Sequence, residues 1–284
     1  MSSTLEYLRP RTLIEAWELA ASRPGARFIA GGTDLMVRMR EGNVQAPALI
    51  SLRHIHELTQ IDVGPPLVLG AGVNVSDLQA NRDVARVLPV LVEATRTLGS
   101  VQIRNAATIG GNLCNASPCA DLAPPLLVHE ARVRLESAGG MRELPLEDFF
   151  VGPRASVLRP GEVLRAIVVD ASPNGRAVFL KKGRVQMDIA LGSVAVLLET
   201  RGLACVRARV AAGSLGPKPM RLREVEKTLE GATLDDRTIA LAGQAAERDV
   251  RPISDVRASA DYRRHLAGAL LERGVRALIN GGRT

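Results

Sequence analysis

The chain has 284 residues, of which 46% are hydrophobic and 2% aromatic. This length suits two or three small domains with aliphatic cores, and so few aromatic residues argue against a surface that stacks nucleic-acid bases. The net charge of +7 would permit a polyanionic partner. The basic residues are dispersed rather than gathered into runs, which favours solvated arginine faces over a nucleic-acid-binding tail. No apolar stretch reaches membrane-spanning length.

The three cysteines, Cys114, Cys119 and Cys205, are too few for a disulfide framework and fit a reducing compartment. They also cannot supply the four thiolates of an iron–sulfur cluster. The sequence contains no G-x-S-x-G, H-E-x-x-H or P-loop motif. We therefore expect a cytoplasmic protein, without a membrane segment or a metal site of its own, whose chemistry belongs to a bound cofactor.

The first elements of the chain predict a small β-α-β unit. Thr12 and Glu15 have the spacing of a capping box, which predicts a helix over residues 13–22. Short apolar runs over residues 27–30 and 48–52 predict two strands, and the helical segment between them favours a parallel pair.

A glycine turn interrupts this unit at residues 31–34, between the first of these strands and a helix that begins at Leu35. Glycine lets the backbone approach a ligand closely, because it has no Cβ atom. A strand, a glycine turn and a helix N-terminus together present free N–H groups to phosphate. The spacing matches neither the dinucleotide fingerprint nor the P-loop, so this turn alone is a weak signal.

A second glycine segment lies at residues 108–121, where a glycine pair is followed by small polar residues and then by Asp121. Successive N–H groups in such a turn can form a nest for an anion. Short hydrogen-bonding side chains are added by Asn112, Asn115 and Ser117. A plain tight turn is the alternative, but it does not require so many small polar residues. Asp121 is predicted to cap a helix over residues 122–129. As a pair, the two segments suggest a dinucleotide whose pyrophosphate lies between them.

The following residues predict a hairpin over 132–144, a strand over 162–169 and a domain boundary at Pro173-Asn174-Gly175. Beyond that boundary the pattern changes to an α+β unit. Three strands are predicted over 177–181, 191–199 and 205–211, and helices over about 221–230, 238–248 and 259–278. In the third strand, apolar side chains alternate with Arg207 and Arg209, which predicts that one face of this sheet is exposed.

The two glycine segments carry a resemblance to a known family. Residues 30–35 (Ala-Gly-Gly-Thr-Asp-Leu) and 108–112 (Thr-Ile-Gly-Gly-Asn), followed by Ala116-Ser117-Pro118 and Asp121, are the matching motifs. They resemble the two FAD loops of the medium subunit of molybdenum hydroxylases, the family of xanthine dehydrogenase and carbon monoxide dehydrogenase. Both motifs occur in order at a domain-sized separation, and the resemblance extends along nearly the whole chain.

The resemblance implies an α+β fold. A vanillyl-alcohol-oxidase (PCMH)-type FAD-binding domain is expected over residues 1–173, in two α/β subdomains of about 1–57 and 58–173. A smaller domain, similar to the CO dehydrogenase flavoprotein C-terminal domain, is expected over residues 174–284, with a three-stranded antiparallel sheet and helices.

The resemblance also implies a set of FAD-binding residues. Residues 158–164 resemble a family motif that places Leu164 beside the flavin ring, and either Lys181 or Lys182 matches a lysine near the flavin. Asp34 is either a direct cofactor contact or simply a residue of the first helical turn. The implied residues are Phe28, Ile29, Ala30, Gly31, Gly32, Thr33, Asp34, Leu35, Thr108, Ile109, Gly110, Gly111, Asn112, Ser117, Asp121, Leu164 and Lys181.

The implied function is that of an oxidoreductase subunit that holds one non-covalent FAD. It would pass electrons from the [2Fe–2S] clusters of a small subunit, through FAD, to NAD or another acceptor. A large subunit would hold molybdopterin, and the assembly would be a dimer of heterotrimers. Two alternatives are a stand-alone flavin oxidase of the vanillyl-alcohol-oxidase type and a basic nucleic-acid-binding protein.

Overall fold

A computed structural model describes residues 5–170 and 175–281. Within these ranges, three clusters of buried apolar side chains form the cores, centred in the amino-terminal, middle and C-terminal parts of the chain. The predicted domain boundary at 173/174 lies outside the described residues. Among the helices of residues 5–170 and 175–281, none combines the length and the hydropathy that crossing a membrane requires.

The amino-terminal part contains the predicted β-α-β unit and one additional strand. Its three-stranded sheet has the order β1-β3-β2, and both pairings are parallel. The sequence does not predict β1, because three largely exposed residues show no usable alternation of apolar side chains. The elements are β1 (Glu6–Leu8), α1 (Leu13–Ser22), β2 (Arg27–Ile29), α2 (Leu35–Arg40) and β3 (Ala48–Ser51).

The capping box of α1 is half formed. The Thr12 hydroxyl accepts a hydrogen bond from the Glu15 amide at 3.1 Å, as predicted. The Glu15 carboxylate accepts from the Arg11 amide at 2.7 Å, one residue before the amide that a complete box would use. Two adjacent side-chain contacts therefore stabilise this end of the helix and fix where α1 begins.

The middle part is a five-stranded antiparallel sheet with short helices packed against it, in the order β4-β5-β10-β6-β7. The predicted hairpin and the predicted strand over 162–169 are both present. Beyond a 3-10 turn at His56–Leu58, the elements are β4 (Ile61–Asp62), β5 (Leu67–Gly70), α3 (Val75–Ala80), α4 (Arg82–Val87), α5 (Pro89–Thr97), α6 (Val101–Ala106), α7 (Ile109–Cys114), α8 (Ala123–Val128), β6 (Arg132–Ser137), β7 (Gly140–Pro145), α9 (Leu146–Phe149), β8 (Phe150–Gly152), β9 (Ala155–Ser156) and β10 (Val163–Val169).

The C-terminal part is an antiparallel sheet with three helices on one face. The three predicted strands and three predicted helices are all present, and a two-residue fourth strand is added at the edge. The elements are β11 (Arg176–Lys182), β12 (Gly192–Arg201), β13 (Ala204–Gly213), β14 (Met220–Arg221), α10 (Arg223–Leu229), α11 (Asp236–Asp249) and α12 (Ala260–Ile279).

The central strand β12 is buried on both of its faces. Val194 and Val196 point into the C-terminal core beneath the helices. Ala195 and Leu197, on the opposite face, belong to the core of the middle part. Successive side chains of a strand point to opposite faces, so this one sheet serves as a wall shared by two cores.

The prediction that this sheet has one exposed face is wrong. Arg207 and Arg209 of β13 both donate hydrogen bonds to the carboxylate of Glu130, which follows α8 in the middle part. Charged side chains thus alternate with apolar ones because they face an ion-pair partner on the neighbouring part of the chain. Alternation alone cannot distinguish this arrangement from exposure to water.

Candidate functional site

The first glycine segment connects β2 to α2, as predicted. Within the described part of the chain, the amides of residues 31–35 donate no hydrogen bond, although the Met36 amide already bonds to the Gly32 carbonyl at 3.0 Å. Gly32 has a φ of +71°, in the left-handed region that favours glycine. The segment therefore presents a run of free donors suited to the oxygens of an anionic ligand.

Gly31 brings this segment against the backbone that precedes the second one. A Cβ atom at this position would lie 2.1 Å from the Ala106 oxygen and 2.9 Å from the Ala107 Cα atom. No larger side chain fits without movement of one of the two backbones. The glycine is thus required for close approach, and it places the two segments side by side although they are far apart in the chain.

The second glycine segment is a helix start rather than a loop. α7 begins directly after Thr108, whose hydroxyl accepts a hydrogen bond from the Gly111 amide at 3.0 Å. The Ile109 and Gly110 amides donate to the carbonyls of Val73 and Ala71 at 3.0 and 2.8 Å. The predicted nest of free amides is therefore wrong for this segment, because protein acceptors already occupy those donors.

Gly110 explains why this helix start is so close to the loop after β5. A Cβ atom on Gly110 would lie 2.5 Å from the Ala71 Cβ atom and 2.6 Å from its oxygen. The second segment therefore contributes mainly to the shape of the site. Gly110 lets α7 pack tightly against the loop after β5, and the residues on the other side of the segment face the first segment.

The two segments line one cavity of about 550 Å³, within the size range of small-molecule and cofactor sites. Gly32 and Gly111 both contribute to its wall. Of the predicted residues, the following line the cavity: Phe28, Ile29, Ala30, Gly31, Gly32, Thr33, Asp34, Leu35, Thr108, Gly110, Gly111, Asn112 and Leu164. Free amide donors, a cleft that needs glycine, and a cavity of this size together define a site that fits a dinucleotide.

Four of the predicted residues lie outside the lining of this cavity: Ile109, Ser117, Asp121 and Lys181. Ile109, the first residue of α7, is fully buried. The Ser117 hydroxyl accepts a hydrogen bond from the Cys119 amide at 3.2 Å. The remaining two form a buried ion pair behind the wall.

Lys181 and Asp121 connect β11 to the segment that follows α7. The Lys181 ammonium lies 2.7 Å from Asp121 Oδ2 and donates a second hydrogen bond, at 2.9 Å, to the Thr97 carbonyl. Both side chains are less than a tenth exposed. Leu98, next to Thr97, lines the cavity, so the Lys181 ammonium contacts the residue adjacent to a lining residue. Lys182 is exposed, so of the two candidate lysines Lys181 is the one that points inward.

Asp121 does not cap α8 as predicted. The residue before this helix is Leu122, and no side-chain cap is found there among the described residues. Burial raises the pKa of Asp121 even though the Lys181 charge opposes this effect. Asp121 Oδ1 is buried without a hydrogen-bond partner among residues 5–170 and 175–281. The carboxylate is thus a buried, partly satisfied group whose second oxygen is available.

Asp34 stands at the start of α2 without capping it. Its carboxylate accepts hydrogen bonds from the Asn115 amide group at 3.1 Å and from Arg154 at 3.2 Å. Because Asp34 and Asn115 both line the cavity, this contact joins the two glycine segments across its rim.

The sequence does not single out much of the opposite wall. The residues that neither spacing nor composition marks lie in strand ends, loops and helices: Arg27, Arg38, Leu52, Leu58, Leu98, Ile103, Ala107 and Cys114. The turn after β5 adds Ala71 and Gly72. Asn115, which the sequence singles out as a short hydrogen-bonding side chain, and Leu158, Glu162 and Val163, from the motif over residues 158–164, also line the cavity.

Two titratable groups of this wall have shifted pKa values. Burial raises the pKa of the Cys114 thiol to about 12, so the cysteine is a neutral, unreactive lining residue. Hydrogen bonds from Arg142, and one from the Arg159 amide, lower the pKa of Glu162 to about 2. Glu162 is therefore a compensated carboxylate that anchors the loop before β10 rather than an acid or base.

Two family models match the chain. The model described as the FAD-binding domain in molybdopterin dehydrogenase matches residues 3–171, and the CO dehydrogenase flavoprotein C-terminal domain matches residues 177–278. A xanthine dehydrogenase FAD-binding subunit of Escherichia coli O157:H7 is 32% identical over 265 residues, which cover 92% of this chain and 91% of that protein. The carbon monoxide dehydrogenase medium chain of Afipia carboxidovorans is 30% identical over 275 residues, or 96% of each chain.

Solved structures give the same result. The chain aligns with carbon monoxide dehydrogenase from Hydrogenophaga pseudoflava with a TM-score of 0.93 and 30% identity, over 98% of both chains. Quinoline 2-oxidoreductase from Pseudomonas putida 86 gives a TM-score of 0.94 at 28% identity, again over 98% of both. The fold and the site thus define an FAD-binding protein of the oxidoreductase class. The chain belongs to the family of FAD-binding medium subunits of molybdenum hydroxylases, and the resemblance in the glycine segments is confirmed.

Proposed function

We propose that this chain is the electron-transfer subunit of a multisubunit molybdenum-dependent hydroxylase or dehydrogenase. The observation that carries the proposal is that both glycine segments line the same cavity of about 550 Å³. When bound there, FAD supplies a redox centre that can exchange electrons singly or in pairs. Membership of the family favours this role over a stand-alone oxidase or a nucleic-acid-binding protein.

The proposed FAD-binding residues fall into groups according to the kind of contact that each can make with the cofactor. The free amides of residues 31–35 are the donors available to the diphosphate, assisted by the Thr33 hydroxyl and the Asn112 side chain. Leu164, at the irregular step between β10 and β6, supplies an apolar contact for a ring. Gly110 and its helix provide close packing rather than charge.

Lys181 and Asp121 are proposed to act from behind the wall, with Ser117 and Ile109 as supporting residues. The Lys181 ammonium is fixed by two acceptors, so its positive charge is held at a constant position close to Leu98. A fixed positive charge in a site of low dielectric constant favours negative charge nearby. The Asp121 carboxylate offsets part of this charge, and the remainder favours the electron-rich state of the cofactor.

We further propose a division into an FAD-binding domain of residues 1–173, with subdomains of about 1–57 and 58–173, and a C-terminal domain of residues 174–284. The three buried cores and the two family matches support this division. We propose a cytoplasmic location because the three cysteines are free thiols.

The proposed partners are a molybdopterin-binding large subunit and a small subunit with [2Fe–2S] clusters, assembled as a dimer of heterotrimers. The relatives support this, since several are named as the medium chain or medium subunit of their enzymes. Electrons would reach this chain from the clusters and leave to NAD or another acceptor.

Affinity purification of the full chain from its native cells tests this proposal. We expect the chain to carry a non-covalent flavin, released by denaturation, and to co-purify with one molybdenum-containing and one iron–sulfur polypeptide. Chelation of the metals in the partners should leave the flavin bound but stop its reduction by substrate. A flavin that remains attached after denaturation, or a chain that purifies alone with oxidase activity, would reject the assignment.

A further inference from the structure

A third element reaches the rim of the FAD cavity. The β8–β9 hairpin turns at Arg154, which has a φ of +59°. Its amide donates a hydrogen bond of 2.8 Å to the carbonyl of Ala116, which also has a positive φ, +46°. Left-handed backbone is costly for residues other than glycine, so two such residues bonded to each other mark a position that the surrounding structure enforces.

The Arg154 side chain bridges both glycine segments. One guanidinium nitrogen lies 3.2 Å from Asp34 Oδ1 and 3.4 Å from Asn115 Oδ1. The Asn115 amide nitrogen in turn donates to Asp34 Oδ2 at 3.1 Å. Asp34 and Asn115 line the cavity, whereas Arg154 is not among the described residues that do so. The three side chains therefore form a closed set of contacts, with the arginine on the outside.

Because Asp34 is negatively charged, its contact with Arg154 affects how the site binds an anionic cofactor. Asp34 lies within the run of free amides, residues 31–35, that are proposed to bind the diphosphate, and like charges that close repel each other. Arg154 is the cation paired with this carboxylate. Without it, Asp34 would lose its ion-pair partner next to a negatively charged ligand, although Arg27 and Arg38 also line the cavity.

We propose that Arg154 is a positioning residue for FAD: it neutralises the Asp34 carboxylate and holds it in place, so that the diphosphate can occupy the neighbouring free amides. It acts through Asp34 rather than by touching the cofactor. This inference rests on the proposed FAD-binding residues, and it assigns a role to a hairpin that neither glycine motif contains.

Titration of the full-length apoprotein with FAD, followed by flavin fluorescence, tests the proposal. Arg154→Ala should weaken FAD binding about fivefold, the upper range for an exposed ion pair. Arg154→Lys should bind nearly as well as the wild type, because it keeps the charge. The loss in Arg154→Ala should shrink at high salt, which screens the exposed Asp34 charge. Arg86→Ala, in an exposed pair with Asp83 away from the cavity, is the matched control and should not change the affinity.

The double variant Asp34→Asn/Arg154→Ala decides between two roles for the arginine. If Arg154 acts by neutralising Asp34, removing both charges should restore most of the lost affinity. An unrestored double variant would overturn the proposal, because the loss in Arg154→Ala would then not come from the charge of Asp34. Wild-type affinity in Arg154→Ala would overturn it as well.

The variant Gly31→Ala distinguishes an error in the role of Arg154 from an error in the position of the proposed FAD site. Its Cβ atom would collide with the Ala106 backbone, so it should abolish FAD binding wherever Arg154 acts. If Gly31→Ala binds FAD normally, the proposed FAD site is misplaced. If Gly31→Ala loses FAD while Arg154→Ala does not, the site stands and the role of Arg154 is wrong.

Discussion

The ammonium of Lys181 lies 2.7 Å from the carboxylate of Asp121 and thereby ties the first strand of the C-terminal sheet to the segment after the second glycine motif. Neither group has appreciable access to water. Breaking a buried ion pair by removing one partner typically costs about 3–5 kcal/mol, because the remaining charge is left uncompensated.

Lys181→Met should therefore lower the free energy of unfolding by about 3 kcal/mol at neutral pH, measured by urea denaturation. Burial already raises the pKa of Asp121, and loss of the lysine should raise that pKa further. A carboxyl with a raised folded-state pKa favours the folded state below its ordinary pKa and loses that contribution as pH rises through the folded value. The defect should thus grow with pH and be smaller in Asp121→Asn/Lys181→Met. A defect that is constant with pH would contradict this account.

Gly110→Ala should destabilise the protein and weaken FAD binding together. The added methyl group would lie 2.5 Å from the Ala71 Cβ atom, so α7 must move away from the loop after β5 and stretch its 2.8 Å hydrogen bond to Ala71. Overpacking of this kind costs about 1–3 kcal/mol. Gly139→Ala is the control, since its Cβ atom would meet Ser137 at an ordinary 3.7 Å. Thermal unfolding and FAD titration of both variants would show whether the close approach matters.

Glu162→Gln should change how stability depends on acid pH. Hydrogen bonds from Arg142 lower the pKa of Glu162 to about 2, below its ordinary value of 4.5. Its stabilising contribution is therefore present above pH 4.5 and lost as pH falls towards 2. The variant should be less stable than the wild type at neutral pH, by about 1.5–3 kcal/mol, and the difference should close in acid. Glu224→Gln, in an exposed pair with Lys227, should show no comparable difference.

Glu130→Gln should loosen the contact between the middle and C-terminal parts. Burial raises the pKa of Glu130, but hydrogen bonding and charge from Arg209 and its neighbours prevail, so the pKa is lowered overall. The carboxylate is 45% exposed, which reduces the expected loss to about 1 kcal/mol after solvent screening. Hydrogen exchange should reveal faster opening of β13 in the variant, whereas α12, in the separate C-terminal core, should be unaffected. Equal protection of β13 in both proteins would show that this contact contributes nothing.

Local features were predictable from the sequence where they depend on a few adjacent residues. The β2–turn–α2 unit follows from an apolar run, two glycines and a helix start, and the three long C-terminal strands follow from their apolar patterns. α7 was not predicted, because two adjacent glycines disfavour a helix. It forms through the Thr108 cap and through bonds to Ala71 and Val73, which are distant in the sequence.

At the rim of the cavity, the sequence singles out Asp34 and Asn115 but not Arg154, for a similar reason. Arg154 is an unremarkable arginine in a turn until folding brings it to Asp34, 120 residues earlier in the chain. Asp121 is a residue type that often caps a helix, but its carboxylate instead pairs with a buried lysine 60 residues away. Contacts with such distant partners override the local structural preference of a residue, and no spacing in the sequence predicts them.

The shared sheet has a consequence for anyone who divides this protein. Phe179, Ala195, Leu197 and Ala211 form an apolar surface that the middle part normally covers. If the chain were cut between the two family matches, the C-terminal fragment would expose that apolar surface to water. The other fragment would expose the apolar side chains of the middle part that pack against it. When expressed separately, the two fragments should aggregate or reassociate. The FAD-binding part should therefore not be stable as an independent domain.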